Sequence, residues 1–141
     1  MKATELMKGD WVSYIGKDFN DYIDRVSEII DGCVVLDKEM IHRSIDNIHP
    51  IPLTPEILEK NGFEQHITAP CGYYHAPVFD MYDVLFHASK DSYEDTWHVE
   101  VFTDHNDNNY VLFNICYTHE LQHVLRLCGL NALADNLKLE E

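Results

Sequence analysis

At 141 residues, with 45% hydrophobic and 25% charged side chains, the chain can bury a modest core and needs neither a disulfide scaffold nor wholesale disorder. Ten basic against 25 acidic side chains leave a formal charge of −15, a surface that repels phosphate and argues against sequence-independent nucleic-acid binding. No apolar run approaches the roughly 20 residues of a membrane-spanning helix.

The opening Met1-Lys2-Ala3-Thr4-Glu5-Leu6 lacks the apolar region of a secretory signal. Cys33, Cys71, Cys116 and Cys128 form no CxxC pair, and Cys116 and Cys128 sit in apolar runs where a reduced cysteine packs as a small hydrophobe. These features predict a reduced, soluble, cytoplasmic protein.

Residues 1–53 carry a net charge of −4 and residues 54–141 one of −11, and the residue pattern changes at the same point. The first part alternates like strands. Trp11 to Ile15 is one. Tyr22 to Ile30 is a second, with Ile23 and Ile29 on one face and Val26 and Ile30 on the other. Asp31-Gly32 between that strand and Cys33 to Leu36 is a strong hairpin signal. Met40 to Arg43 follows, then one short helical turn at Ser44 to Ile48 with Ser44 as cap. The prolines of His49-Pro50-Ile51-Pro52 hold their predecessors extended. Short strands with one late turn predict a small SH3-like β-barrel over residues 1–53.

Thr54-Pro55-Glu56 reads as a helix start (a capping Thr, Pro at the first helical position, an acid in the first turn), and Gly62 suits the left-handed position beyond its end. Residues 64–81 are interrupted and aromatic and give no clear element. Strands resume at Asp83 to Ala88, Thr96 to Phe102 and Tyr110 to Ile115, where Trp97, Val99 and Val101 alternate with His98 and Glu100. A helix from about Thr118 to Cys128 is stopped by Gly129, and a last turn or two spans Asn131 to Leu137. Residues 54–141 therefore read as an α+β domain with a short helix, antiparallel strands and C-terminal helices, and the whole chain as α+β.

His119-Glu120-Leu121-Gln122-His123 is an HExxH motif. On a helix its histidines share a face and can share a Zn²⁺, with the glutamate taking a proton from the bound water. Four arguments oppose that reading. With this many His and Glu the motif arises by chance in about 4% of such chains. Gly129 stands where an extended zincin motif places its third histidine. His119 falls in the first helical turn, whose positive dipole end disfavours a dication. Finally, Leu121, Val124, Leu125 and Cys128 form the apolar stripe, and His119 and His123 lie about 160° and 200° from Leu121, predicting two imidazoles turned to solvent with no third donor near.

Other candidates are weaker. Asp104-His105-Asn106-Asp107-Asn108-Asn109 opens like a Ca²⁺ loop, but Asn109 replaces the required Gly and Ile115 the bidentate Glu, so it reads as a hairpin tip. Eight acids against Lys90 within residues 80–110, among them Asp91, Glu94 and Asp95, read as a solvated hairpin edge, with a docking surface or a nucleic-acid mimic as the functional alternatives. His66, Cys71 and His75, with His87 or His98, match no structural zinc spacing. Tyr73, Tyr74 and Tyr82 read as interface packing.

Two segments, Ile51-Pro52-Leu53-Thr54-Pro55-Glu56-Ile57-Leu58-Glu59-Lys60-Asn61-Gly62-Phe63 and Tyr117-Thr118-His119-Glu120-Leu121-Gln122, together resemble a family of small uncharacterised bacterial and prophage proteins. That family's pattern is a PIPLT-E-L segment ending in Gly-Phe, a strand-rich middle, then YVHELQ and an apolar helix. The resemblance covers nearly the whole chain and implies the architecture; it carries no activity, substrate or ligand. It also implies that the place of His123 alternates with Asn, which makes HExxH a lineage accident.

The sequence therefore predicts a non-enzymatic protein-interaction or accessory protein with no cofactor and a partner bearing a basic surface. The alternatives are a minimal zinc hydrolase, with His119 and His123 as ligands and Glu120 as base, and an acidic nucleic-acid mimic.

Overall fold

The computed structural model describes residues 2, 5–66, 78–81, 86–90, 96–102 and 110–139. The chain divides into two compact units, Met1–Pro52 with Tyr117–His123, and Leu53–Cys116 with Val124–Glu141. The HExxH segment groups with the first 52 residues.

The first unit is an antiparallel sheet of β1 (Trp11–Ile15), β2 (Asp21–Ile30), β3 (Cys33–Leu36), β4 (His42–Ser44) and β5 (Ile48–His49), in the order β4-β3-β2-β1-β5. Asp31 and Gly32 both adopt positive φ, 49° and 76°, the two left-handed residues that a tight hairpin matched to strand twist requires. Ser44 caps the one-turn 3₁₀ helix Ile45–Asn47 by accepting the Asp46 N–H. Among the described residues no pairing joins edge strands β4 and β5, so the sheet is not closed into a barrel.

Leu6, Val12, Tyr14, Val26, Val34, Leu36 and Ile48 form the core of this unit, with Ile29 and Ile45 packed against it. Val26 and Ile29 thus share a face, although strict alternation separates them. The reason is a β-bulge: Val26 pairs with Leu36 but Glu28 with Val35, so one extra residue flips the parity. Asp24 is buried as well, and its carboxylate accepts the Arg25 and Lys38 N–H groups at 2.7 and 2.8 Å.

The second unit starts with α1 (Pro55–Lys60), where the Thr54 hydroxyl accepts the Ile57 N–H and Gly62 takes φ 89° beyond the end. Its sheet runs β10-β9-β8-β7-β6, all antiparallel: β6 (Glu64–His66), β7 (Val78–Met81), β8 (Phe86–Lys90), β9 (Trp97–Phe102) and β10 (Tyr110–Ile115). β6 and β7 fall in the stretch that gives no clear element by sequence. Trp97, Val99 and Ile115 are buried, and the Trp97 indole donates to the Leu53 carbonyl at 2.9 Å.

α2 (Thr118–Leu127) and α3 (Asn131–Asp135) complete the chain, and Gly129 at φ 80° ends α2. No helix among the described residues is long and apolar enough to cross a membrane.

Candidate functional site

β5 stops at His49, opposite Ser13 of β1. Extending that register places Ile51 opposite Trp11, but the Ile51 carbonyl accepts the Thr118 N–H at 2.8 Å instead. Pairing with β5 therefore does not reach the first residues of β1, and a buried peptide group needs a partner. Gln122 supplies one. Its Oε1 accepts the Trp11 N–H and its Nε2 donates to the Gly9 carbonyl, both at 2.9 Å, so one side-chain amide does the work of an adjoining strand. Gln122 is completely buried.

Between those two anchored residues lies Asp10, also completely buried. Its Oδ2 accepts the Met7 N–H at 2.7 Å and lies 2.6 Å from His123 Nε2. Against a carboxylate that ring nitrogen carries the hydrogen and donates. His123 is partly exposed, with a quarter of its side chain in solvent.

The imidazoles are not both turned to solvent, as the position of the apolar stripe suggests. His119 is only 4% exposed, and its buried Nδ1 has no hydrogen-bond partner among the described residues. Thr118, His119, Leu121, Gln122, Val124 and Leu125 are all buried, so the covered arc of α2 spans about 220°, far wider than its apolar stripe. Two of the polar residues in the added arc supply hydrogen bonds there, Thr118 to the Ile51–Pro52 segment and Gln122 to the β1 edge. His119 stacks on Tyr117 (ring centroids 6.0 Å apart) and meets His123 edge-on at 5.6 Å.

Glu120 also has an internal use. Its Oε1 accepts the Tyr117 N–H at 3.1 Å, the reach-back of a capping-box glutamate, so the helix begins one residue earlier than a Thr118 cap implies. Lys2, Glu5, Pro50, Tyr117, His119, Glu120 and His123 line a cleft of about 560 Å³ beside these residues.

Asp10 and His123 meet as hydrogen-bond partners, closer than two ligands of one zinc would stand. Ligands sharing a tetrahedral zinc at about 2.0–2.1 Å stand about 3.3 Å from one another, whereas Asp10 Oδ2 and His123 Nε2 are 2.6 Å apart in a direct hydrogen bond. A ring nitrogen that donates a hydrogen offers no lone pair to a metal. Among the described residues no three of His, Cys, Asp and Glu come together as a ligand set.

Burial, the largest influence, pushes the His119 imidazole below its ordinary value of 6.5 and outweighs the opposing carboxylates of Asp10, Glu120 and Glu5. Because the folded chain binds this proton less readily than the unfolded chain, neutral His119 contributes its full stability above pH 6.5. That contribution falls as the pH drops below the unfolded value. Urea denaturation at pH 7.5 and pH 5 therefore shows a larger acid loss for the wild type than for His119→Gln; equal losses refute the assignment.

Sequence reasoning misses Asp10 and Gln122 as members of this site. Their signals are weak: a lone acid at a strand start, and an uncharged polar residue flanking a helix stripe. Of the other candidates, His98 Nδ1 lies 2.7 Å from Asn114 Oδ1 across β9 and β10. Register sets Glu64, Asp80, His87 and Glu100 in one row across β6 to β9. His66 lies in β6. Cys71, His75, Tyr73, Tyr74, Tyr82, Asp91, Glu94, Asp95 and the Asp104–Asn109 loop lie outside the described residues.

Compared with protein-family models, with curated proteins and with solved structures, the chain matches none.

Proposed function

We propose that this is a soluble, cytoplasmic, non-enzymatic bacterial or prophage-type accessory protein that acts by contacting a protein partner with a basic surface. The observation that carries this reading is the internal use of the HExxH polar groups: His123 on Asp10, Gln122 on Gly9 and Trp11, Glu120 on the Tyr117 N–H. Groups engaged in holding the chain together are poorly placed to activate water. The charge of −15 supports a basic partner and disfavours phosphate backbones. We read the first sheet as an open relative of an SH3-like barrel, its β4 and β5 edges unjoined among the described residues, a reading supported by its strand order and by the 3₁₀ turn that leads into β5.

The competing reading is a zinc hydrolase built on His119, His123 and Glu120. Elemental analysis of untagged protein, paired with cross-linking capture from a bacterial lysate, separates the two. The expected result is substoichiometric zinc, unchanged in His123→Ala, and a saturable protein partner released by salt. Stoichiometric zinc lost with His123→Ala, together with hydrolytic turnover and no partner, overturns the proposal.

A further inference from the structure

The cleft beside the HExxH segment lies wholly within the first compact unit. Its walls come from Lys2 and Glu5, from Pro50, and from the start of α2 with Tyr117 before it. A volume of about 560 Å³ falls among those of small-molecule sites, which run from about 300 to 1,000 Å³.

One wall carries a polar atom that the fold does not use. His119 lines the cleft and is only 4% exposed, and its Nδ1 has no hydrogen-bond partner among the described residues. Buried polar side-chain atoms nearly always have one, so the exception marks a place where a ligand atom can serve. The rings of Tyr117 and His119 stack with planes 10° apart, and Tyr117 is 37% exposed, which leaves an aromatic face open in the cleft. Burial keeps His119 below its ordinary value of 6.5 and so uncharged at pH 7, and this wall does not repel a cation.

The charges on the walls are unequal. His123 is committed to Asp10 at 2.6 Å. The remaining charged side chains are Lys2, Glu5 and Glu120, one ammonium against two carboxylates. A turn ties the first two together: the Lys2 N–H donates to the Glu5 carboxylate at 3.3 Å, and the Glu5 N–H to the Lys2 carbonyl at 3.0 Å. Glu120 is fixed at the helix start by the Tyr117 N–H. A ligand complementary to all three carries two cationic groups and one anionic group, a net charge of +1. That is the charge pattern of a basic α-amino acid. Of the basic side chains, a guanidinium suits this wall better than an ammonium, because it is planar, stacks on an aromatic ring and forks onto a carboxylate.

We propose that this cleft binds a free basic amino acid, arginine above all. The guanidinium lies on Tyr117 and donates to Glu120 and to His119 Nδ1; the α-ammonium pairs with Glu5, and the α-carboxylate with Lys2. This gives the chain a small-molecule site beyond its protein partner, and the site does not depend on that partner.

The test is calorimetric titration of the full chain with L-arginine, with long-range nitrogen–proton spectra of the imidazoles. The expected Kd is about 0.1 mM at low salt, and the His119 Nδ1 resonance should move as the site fills. Citrulline keeps the shape but not the side-chain charge, and agmatine lacks the carboxylate; each should bind at least about tenfold more weakly. Glu120→Gln preserves the capping box, so its Tm should stay near that of wild type while its affinity for arginine falls about tenfold. Lys2→Gln should bind arginine and agmatine equally. No binding up to about 10 mM arginine, an unmoved His119 Nδ1 signal, or citrulline or agmatine as good as arginine overturns the proposal. So does an unchanged affinity in Glu120→Gln, or a preference for arginine over agmatine that survives Lys2→Gln. None of these outcomes bears on partner capture, so the adaptor reading stands or falls separately.

Discussion

Gln122→Leu is expected to lower the unfolding free energy by about 3 kcal/mol, because it removes two hydrogen bonds at once from a site with no solvent to replace them. Leucine fills nearly the same volume, so little of the loss is cavity; it comes from the Trp11 N–H and the Gly9 carbonyl left without partners. For a chain of this size that is about a 10 °C fall in Tm. Gln122→Glu separates the two bonds. A carboxylate still accepts from Trp11 but opposes the Gly9 carbonyl and places a charge in a buried site, so at pH 7 it should cost more than leucine. Lowering the pH gives the side chain an O–H that can donate to Gly9, and Gln122→Glu should then recover relative to wild type. Urea titrations of all three proteins at pH 7 and pH 4.5 measure this. A cost below about 1 kcal/mol for Gln122→Leu would mean that the amide does not hold the β1 edge.

What the sequence discloses and what it hides follow from the range of each interaction. The Asp31-Gly32 hairpin, the Ser44 cap and the Thr54-Pro55 start with Gly62 beyond the end are decided by neighbours within a few residues, and all are readable by eye. The bulge after Val26 is not, because period-two reasoning assumes that no residue is inserted, and nothing in Val26-Ser27-Glu28 announces one. The orientation of His119 is misjudged for a different reason. The apolar stripe of a helix bounds its buried face from below only, and Thr118, His119 and Gln122 extend that face with polar side chains. The Asp10–His123 and Trp11–Gln122 bonds join residues more than 110 positions apart, so no local pattern carries them. The HExxH spacing is legible but misleading: its i, i+4 geometry suits a metal, and equally suits one imidazole on a buried carboxylate beside another packed against Tyr117.

Asp10 is the residue whose substitution best separates those two uses of the motif. Asp10→Ala removes the acceptor from the Met7 N–H and the His123 N–H in a fully buried position, and is expected to cost about 3 kcal/mol. His123→Ala, at a partly exposed position, should cost about 1–2 kcal/mol. In the double variant the losses should fall short of additivity by about 1 kcal/mol, since each single change already breaks the shared bond. A structural hydrogen bond shows this coupling with or without a chelator, because no metal takes part in it. A metal site behaves differently: chelator-treated wild type would be as weak as the variants, and the coupling would vanish with it. His123→Asn sharpens the contrast. An Asn amide can donate to the Asp10 carboxylate yet is a poor zinc ligand, so this variant should keep stability within about 1 kcal/mol of wild type under the structural reading. If His123→Asn instead falls as far as Asp10→Ala, and added zinc raises the stability of wild type alone, the imidazole is needed for its lone pair and the adaptor reading gives way.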